Sequence, residues 1–153
     1  MKKYIIAIIA LVSFLLSAEV EITSNTFSAD EKAQKAEFIG NVIITKEKNI
    51  LKADKVLVEF NEKNEPIKYT ATGNVDADLI MNGKRYKGKG KNFIYEPSRS
   101  AYTLWGDAYI HEIDTDKKIF GEKIDVNQLT GSYKVDGKDN TPVKFIFKVE
   151  DDK

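Results

Sequence analysis

The stretch Phe38-Ile39-Gly40-Asn41-Val42-Ile43-Ile44 recurs in two further copies and decides how the chain folds. The second copy reads Ala71-Thr72-Gly73-Asn74-Val75-Asp76-Ala77, and the third reads Leu104-Trp105-Gly106-Asp107-Ala108-Tyr109-Ile110. The three glycines stand 33 residues apart each time. A fixed period of this size indicates one supersecondary unit that stacks on copies of itself, because no copy can bury its apolar face alone.

Apolar and polar residues alternate around each glycine, which predicts long β-strands with one buried face. In the second copy the alternation runs from Ile67 to Ile80, and only Ile80 breaks the polar set. In the third copy Trp105, Tyr109 and His111 share the polar face. Glycine weakens a strand interior and commonly marks a bulge or a bend. Three glycines at the same point therefore predict a shared bend that curves the sheet.

A second pattern follows each glycine strand and predicts a return strand that turns a corner. It consists of a small residue, two polar residues and an apolar-x-apolar pair, at 53–58, 90–95 and 121–126. Leu51 and Ala53 are at odd-numbered positions, whereas Val56 and Val58 are at even-numbered ones, so in a regular strand the two pairs would lie on opposite faces. Both halves can face the core only if the strand kinks at the small residue.

The connections and the C-terminus complete an all-β chain. Asn82-Gly83 predicts a tight β-hairpin. The segment 28–35 fits either one helical turn, with Ser28 as its cap, or a polar loop. A C-terminal strand is predicted to face inward through Val143, Phe145, Phe147 and Val149. About ten to twelve antiparallel strands result, with an alternation typical of a sandwich or a jelly roll.

The N-terminus has the layout of a secretory signal. Lys2 and Lys3 precede an apolar run from Tyr4 to Leu16, which ends in Ser17-Ala18. The run is short for a membrane span, although an uncleaved single-span anchor is the alternative. We therefore expect a signal peptide at 1–18, a single domain at 19–153 and a periplasmic location. The 153-residue chain has no cysteine, which excludes disulfides and a lipid-modified N-terminal cysteine.

The composition of residues 19–153 gives no support for several classes of function. These residues carry 22 basic and 24 acidic side chains, a net charge of −2, which argues against nucleic-acid binding. His111 is the only histidine, so no His/Cys cluster exists for a metal. No nucleophile–base set or phosphate-binding glycine loop stands out. We predict a protein that is not an enzyme and that uses no cofactor.

The glycine strands and their kinked returns resemble the LptA/OstA family of lipopolysaccharide transport proteins. The likeness covers roughly residues 20–127, and its specific feature is the Gly-Asn-Val strand interleaved with returns such as Ala53-Asp54-Lys55. The third copy departs from the pattern with Gly106-Asp107-Ala108, and the second return has Gly90 in place of Ala53. The resemblance implies a twisted, open antiparallel β-jelly roll that shields the acyl chains of lipopolysaccharide. It also implies end-to-end stacking into a bridge from an inner-membrane LptC-like protein to an outer-membrane LptD-like protein.

The resemblance further implies that inward-facing apolar residues line an acyl groove, whereas each residue by itself fits a plain core better. The expected groove residues are Phe38, Val42, Ile44, Val56, Val58, Tyr69, Val75, Leu79, Phe93, Tyr95, Leu104 and Ile110. The basic run at 84–91 either contacts the phosphates of lipid A or is a solvated hairpin arm. The expected phosphate contacts are Lys84, Arg85, Lys87 and Lys89.

The terminal strands are expected to carry the assembly contacts, because exposed sheet edges are templates for strand addition. The residues concerned are Val20, Ile22, Phe145 and Phe147. Two alternatives stay open at this point. One is an LptC-like subunit that keeps residues 1–18 as a membrane anchor, and the other is a β-sandwich adaptor that has a dry core and binds no ligand.

Overall fold

The computed structural model describes residues 19–150, so the predicted signal peptide lies outside the described residues. The described part contains ten β-strands and a 3-10 turn at Pro97–Arg99. None of its helices has the length and apolar character needed to cross a membrane. The strands are β1 (Val20–Thr23), β2 (Thr26–Asp30), β3 (Lys35–Lys46), β4 (Asn49–Phe60), β5 (Pro66–Met81), β6 (Lys84–Glu96), β7 (Ala101–Glu112), β8 (Lys117–Asn127), β9 (Ser132–Asp136) and β10 (Lys144–Ile146).

All ten strands belong to one antiparallel sheet. Its order is β1-β3-β4-β5-β6-β7-β8-β10, with β2 also paired to β3 and β9 also paired to β8. Strands β3 to β8 therefore form a meander, in which each strand pairs with the next one along the chain. Within residues 19–150 no pairing joins the β1/β2 edge to the β9/β10 edge, so the sheet is not closed. The predicted open, all-β jelly roll is confirmed, although its two layers are halves of a single sheet.

Each Gly-Asn or Gly-Asp pair places two consecutive residues in the left-handed region. The φ angles are 85° and 48° at Gly40 and Asn41, 83° and 49° at Gly73 and Asn74, and 85° and 50° at Gly106 and Asp107. Glycine enters this region without a steric penalty, and Asn and Asp enter it more readily than other side chains. The conformation therefore explains why the pair recurs and why Asp replaces Asn in the third copy.

The left-handed pair inserts one extra residue into its strand, which is a β-bulge. Phe38 pairs with Val56 and Val42 pairs with Ala53, so four steps along β3 oppose three along β4. The same shift interrupts the pairing on both sides of β5 and of β7. The bulges form one line across the sheet. The predicted shared bend and the change of parity in the return strands are both confirmed.

The line of bulges divides the sheet into two leaves. Leaf 1 contains β2, β9 and the strand halves 35–39, 55–60, 66–72, 92–96, 101–105 and 123–127. Leaf 2 contains β1, β10 and the halves 42–46, 49–53, 75–81, 84–90, 108–112 and 117–121. The core lies between the leaves, and its most buried side chains are Val56 and Ile124 of leaf 1 and Val42 of leaf 2.

A side chain from the neighbouring segment covers each bulge glycine. A Cβ atom at Gly73 would lie 2.9 Å from the Cβ atom of Asp54, and one at Gly106 would lie 2.9 Å from Cγ of Lys91. Asn74 Nδ2 donates a hydrogen bond of 2.9 Å to Asp54 Oδ2, which ties the bulge to the next strand. Both the backbone conformation and the close contact therefore require glycine.

One prediction about the terminal segments is wrong, namely a buried C-terminal strand that runs from Val143 to Val149. Phe145 and Phe147 are 50% and 54% exposed, and only Lys144–Ile146 forms a strand there. Phe145 pairs with Ile119, which packs against the core, but β10 lies at the edge of leaf 2 and the Phe145 side chain stays exposed. The segment Val20–Phe27 is two strands that cross from leaf 2 to leaf 1. Of the two alternatives for 28–35, the helical turn does not form, because Ser28 to Asp30 belong to β2 and the chain turns at 31–34.

Replacing a bulge glycine tests the bend. Gly73→Ala adds a Cβ atom to a left-handed residue and forces it against Asp54, so we expect a loss of about 2–4 kcal/mol in unfolding free energy. Gly83→Ala is the matched control, because Gly83 also has a positive φ, of 76°, but has nothing within 4 Å of the added atom. We expect this control to lose about 1 kcal/mol. Equal losses in urea unfolding would contradict the close contact at the bend.

Candidate ligand-binding groove

A continuous apolar surface lines the space between the leaves. All twelve residues predicted to line a groove are part of it. Six are buried, namely Val42, Val56, Val58, Val75, Phe93 and Leu104. The other six pack against the buried set and keep some exposure, namely Phe38, Ile44, Tyr69, Leu79, Tyr95 and Ile110. The alternation in the sequence thus brings the twelve together on one face.

A cavity of about 40 Å³ lies between the leaves. Leaf 2 contributes Ala77, Leu79, Met81, Tyr86, Lys87, Gly88 and Ile110 to its lining, and leaf 1 contributes Phe93, Tyr102, Leu104, Ile124 and Val126. An apolar cavity of about 150 Å³ is the size that holds a benzene molecule. A long acyl chain therefore fits between the leaves only if they move apart.

Side chains of leaf 1 pack against glycines of leaf 2, which lets the two leaves approach closely. A Cβ atom at Gly90 would lie 2.8 Å from Cδ1 of Leu104, and one at Gly121 would lie 2.5 Å from Cγ1 of Val135. A Cβ atom at Gly88 would lie 3.5 Å from Cδ2 of Leu104. Because these positions of the return strands are glycines, side chains of leaf 1 fill the space between the leaves near the bend.

A row of aromatic side chains crosses leaf 1. The Tyr95 ring lies 4.7 Å from that of Tyr102 and 5.8 Å from that of Tyr69, both in stacked arrangements. Burial raises the pKa of Tyr69 and of Tyr102 to about 12, and the neighbouring Tyr95 adds to both shifts. These rings present an apolar body to the groove, while the Tyr102 hydroxyl donates to Gln128 Oε1 at 3.4 Å.

The basic run is divided between the two faces of β6. Strand alternation places Lys84 on the inner face with Tyr86 and Gly88, and places Arg85, Lys87 and Lys89 on the outer face. Arg85 donates from Nε and Nη2 to the Asp78 carboxylate, at 2.9 and 2.6 Å. These hydrogen bonds lower the pKa of Asp78. The four predicted phosphate contacts therefore do not share one surface, and only Lys84 faces the groove.

Glu112 is the buried charged residue of the described part and ends the inner row of β7. Its carboxylate lies 3.3 Å from Lys84 Nζ and 3.9 Å from Lys117 Nζ. The hydroxyls of Thr115 and of Tyr86 donate to it, the latter at 3.2 Å. The Thr115 hydrogen bond is the main cause that lowers the pKa of Glu112, and Lys84 adds to it. Burial, with Tyr133 and Glu112 nearby, raises the pKa of Tyr86.

Some groove residues were missed from the sequence. Ile124 and Val126 are the apolar pair of the third return, and Met81 and Tyr86 continue the alternation through the hairpin, so the same signal would have found them. Glu112 gave no such signal, because an acidic residue at an inner position reads as a break in the pattern.

The outer face of leaf 2 carries the lone histidine. His111 Nε2 lies 2.6 Å from Asp116 Oδ1, and Lys148 Nζ lies 3.0 Å from Asp116 Oδ2. Hydrogen bonds from Lys148 and then from His111 lower the pKa of Asp116 to about 2. Residues 19–150 contain no group of three or more His, Cys, Asp and Glu side chains that could hold a metal ion.

The fold and the apolar inner surface define an open, two-leaved β-jelly roll. A family model described as LptA/(LptD N-terminal domain) LPS transport protein matches residues 21–132. The chain belongs to this family.

Two similar proteins accompany this match, one by sequence and one by fold. The lipopolysaccharide export system protein LptA of Haemophilus influenzae is 27% identical over 131 residues, which cover 83% of this chain and 75% of that protein. The crystal structure of LptH from Pseudomonas aeruginosa, described as the LptA homologous periplasmic component of the lipopolysaccharide transport device, matches with a TM-score of 0.73 at 14% identity. That match covers 85% of this chain and 95% of LptH, and it supports the fold.

The buried tyrosines predict a loss of stability in alkali. Their raised pKa means that the folded state keeps its phenolic protons while the unfolded state loses them above pH ~10. Unfolding free energy should therefore fall between pH ~10 and ~12, by about 1.4 kcal/mol per pH unit for each tyrosine. The Tyr69→Phe/Tyr102→Phe variant should lose less over this range in urea unfolding. Identical pH dependence in the variant and the natural protein would refute the assignment.

Proposed function

We propose that the protein is a periplasmic lipopolysaccharide carrier, not an enzyme, which shelters lipid A acyl chains between its two leaves and passes lipopolysaccharide from the inner to the outer membrane. The observation that carries this proposal is the continuous apolar surface between leaves whose outer margins are unpaired. Family membership and the names of both relatives support the substrate class. In this proposal residues 1–18 direct export, and N-terminal sequencing of the exported protein separates a carrier from an LptC-like anchored subunit.

Hydrocarbon burial is strong enough to hold such a ligand. Each buried CH₂ group contributes about 0.8 kcal/mol, so the burial of acyl chains offsets the loss of apolar contacts between the leaves. The contacts that would separate include those of Leu104 and Val135, which pack against glycines of leaf 2. The unpaired margins allow the leaves to part without breaking the sheet, and open ends let the ligand be handed on.

The two edges of the sheet suit end-to-end assembly. One edge is formed by β1 and β2 and the other by β9 and β10, so both present unpaired backbone groups. Phe27 is 45% exposed at the first edge, and Phe145 and Ile146 are exposed at the second. We propose that Val20 and Ile22 of one copy meet the Phe145 and Phe147 segment of the next, and that LptC-like and LptD-like partners use the same edges.

Photo-cross-linking at adjacent residues of β5 tests the groove. Leu79 faces the inner space and Ile80 faces outward, 41% exposed, so the two positions differ only in the face of the strand. With a benzoylphenylalanine at position 79 we expect a lipopolysaccharide adduct on illumination in cells, identified by mass spectrometry. The same group at position 80 should give none. Adducts of equal yield from both positions, or none from position 79, would rule out the groove.

Truncation tests the edge contacts. Deletion of residues 143–153 should abolish self-association and partner binding, since it removes β10 from one edge. The core should remain folded, because β10 adds only three residue pairs to β8. Sedimentation reports assembly, and thermal unfolding provides the control for folding. A truncated protein that is folded and still assembles would show that the contacts lie elsewhere.

A further inference from the structure

We propose that Lys84 and Lys117 form an anion-binding pair at the rim of the groove, which binds the phosphate or carboxylate head of an amphiphile whose hydrocarbon tail lies between the leaves. Glu112 holds the two ammonium groups in position until the ligand arrives. This inference rests on the proposed function, because the tail needs the groove, and it adds a site for the charged part of the ligand.

The two lysines converge on one point although they come from different strands. Lys84 begins β6 and Lys117 begins β8, and β7 lies between them. Both Nζ atoms lie within 4 Å of the carboxylate of Glu112, whose side chain is 9% exposed. The two lysine side chains themselves remain 51% and 47% exposed, so an incoming anion can reach them. A single tetrahedral anion that took the place of the carboxylate would contact both ammonium groups.

Tyr86 connects this charged cluster to the apolar space. Its ring lines the cavity between the leaves, while its hydroxyl donates to Glu112 at 3.2 Å. Met81 and Ile110 line the same cavity: Met81 pairs with Lys84 across the β5–β6 hairpin, and Ile110 lies two residues from Glu112 along β7. The apolar lining and the ammonium groups are therefore only one side chain apart. This spacing matches an anionic amphiphile, in which the charged head is attached directly to the hydrocarbon tail.

The outer face of the same strand shows what distinguishes Lys84 from the rest of the basic run. Arg85 is bound to Asp78 by two hydrogen bonds and points away from the groove. Lys87 and Lys89 pair in register with His111 and Tyr109 on that outer face. Their side chains carry the same charge as Lys84 but lie on the opposite face of β6, which makes them matched controls.

Binding of two amphiphiles with the same tail tests the pair. Dodecyl phosphate and uncharged dodecyl maltoside are titrated at low salt below their micelle concentrations, with thermal unfolding as the check on folding. Lys84→Gln/Lys117→Gln should weaken dodecyl phosphate about five- to tenfold and leave dodecyl maltoside unchanged. Lys87→Gln/Lys89→Gln should change neither by more than about twofold. If the first double variant does not fold, Lys117→Gln alone replaces it.

Further arms separate the possible outcomes. Glu112→Gln removes the competing charge and should bind dodecyl phosphate about two- to fivefold more tightly. Dodecanoate in place of dodecyl phosphate shows whether a carboxylate head suffices, and inorganic phosphate shows whether the pair binds an anion without a tail. If both double variants lose the same affinity for dodecyl phosphate, the anion site is wrong and the groove is not affected. The same holds if the Lys84/Lys117 variant loses equal affinity for both amphiphiles. If neither amphiphile binds the natural protein, the groove and the anion site fail together.

Discussion

The structure depends on one backbone constraint, the pair of consecutive left-handed residues in each long outgoing strand. At Gly40, Gly73 and Gly106 the pair adds one residue to the strand, and the pairing on either side shifts by one. Because the three bulges fall on one line, their local bends add up to a fold across the whole sheet. A single sheet thereby acquires two facing leaves, and the apolar faces of all strands point into the space between them.

The same bend gives the molecule its free surfaces. A sheet that folds over along a line keeps two unpaired margins, and the terminal strands share these edges, two to each. The interior is closed by apolar contacts between the two leaves, among them those of Leu104 and Val135 of leaf 1 with glycines of leaf 2. Hydrocarbon can replace such contacts without leaving a polar group unpaired, since the residues 19–150 bury no side-chain nitrogen or oxygen without a partner.

The glycine period and the alternation were sufficient to predict the bend, the parity change in the return strands and the twelve inner residues. The division of the basic run was also present in the pattern, since Lys84, Tyr86 and Gly88 alternate with Arg85 and Lys87. Other features depend on distances between segments far apart in sequence. The alternation around Phe145 predicts burial, but the residue lies at the edge of the sheet and is exposed. Glu112 is buried only because Lys84, Lys117, Tyr86 and Thr115 converge on it. The volume between the leaves follows from the angle of the bend, which no local pattern specifies.

We propose that the leaves part about the line of bulges to admit hydrocarbon. A distance measured across the bend of a single strand provides the test. The chain has no native cysteine, so Lys68→Cys and Ile80→Cys place two spin labels on β5, one on the outer face of each leaf. Pulsed electron paramagnetic resonance should show a longer distance between the labels when lipopolysaccharide is bound than in its absence. An unchanged distance with lipopolysaccharide bound would contradict the account.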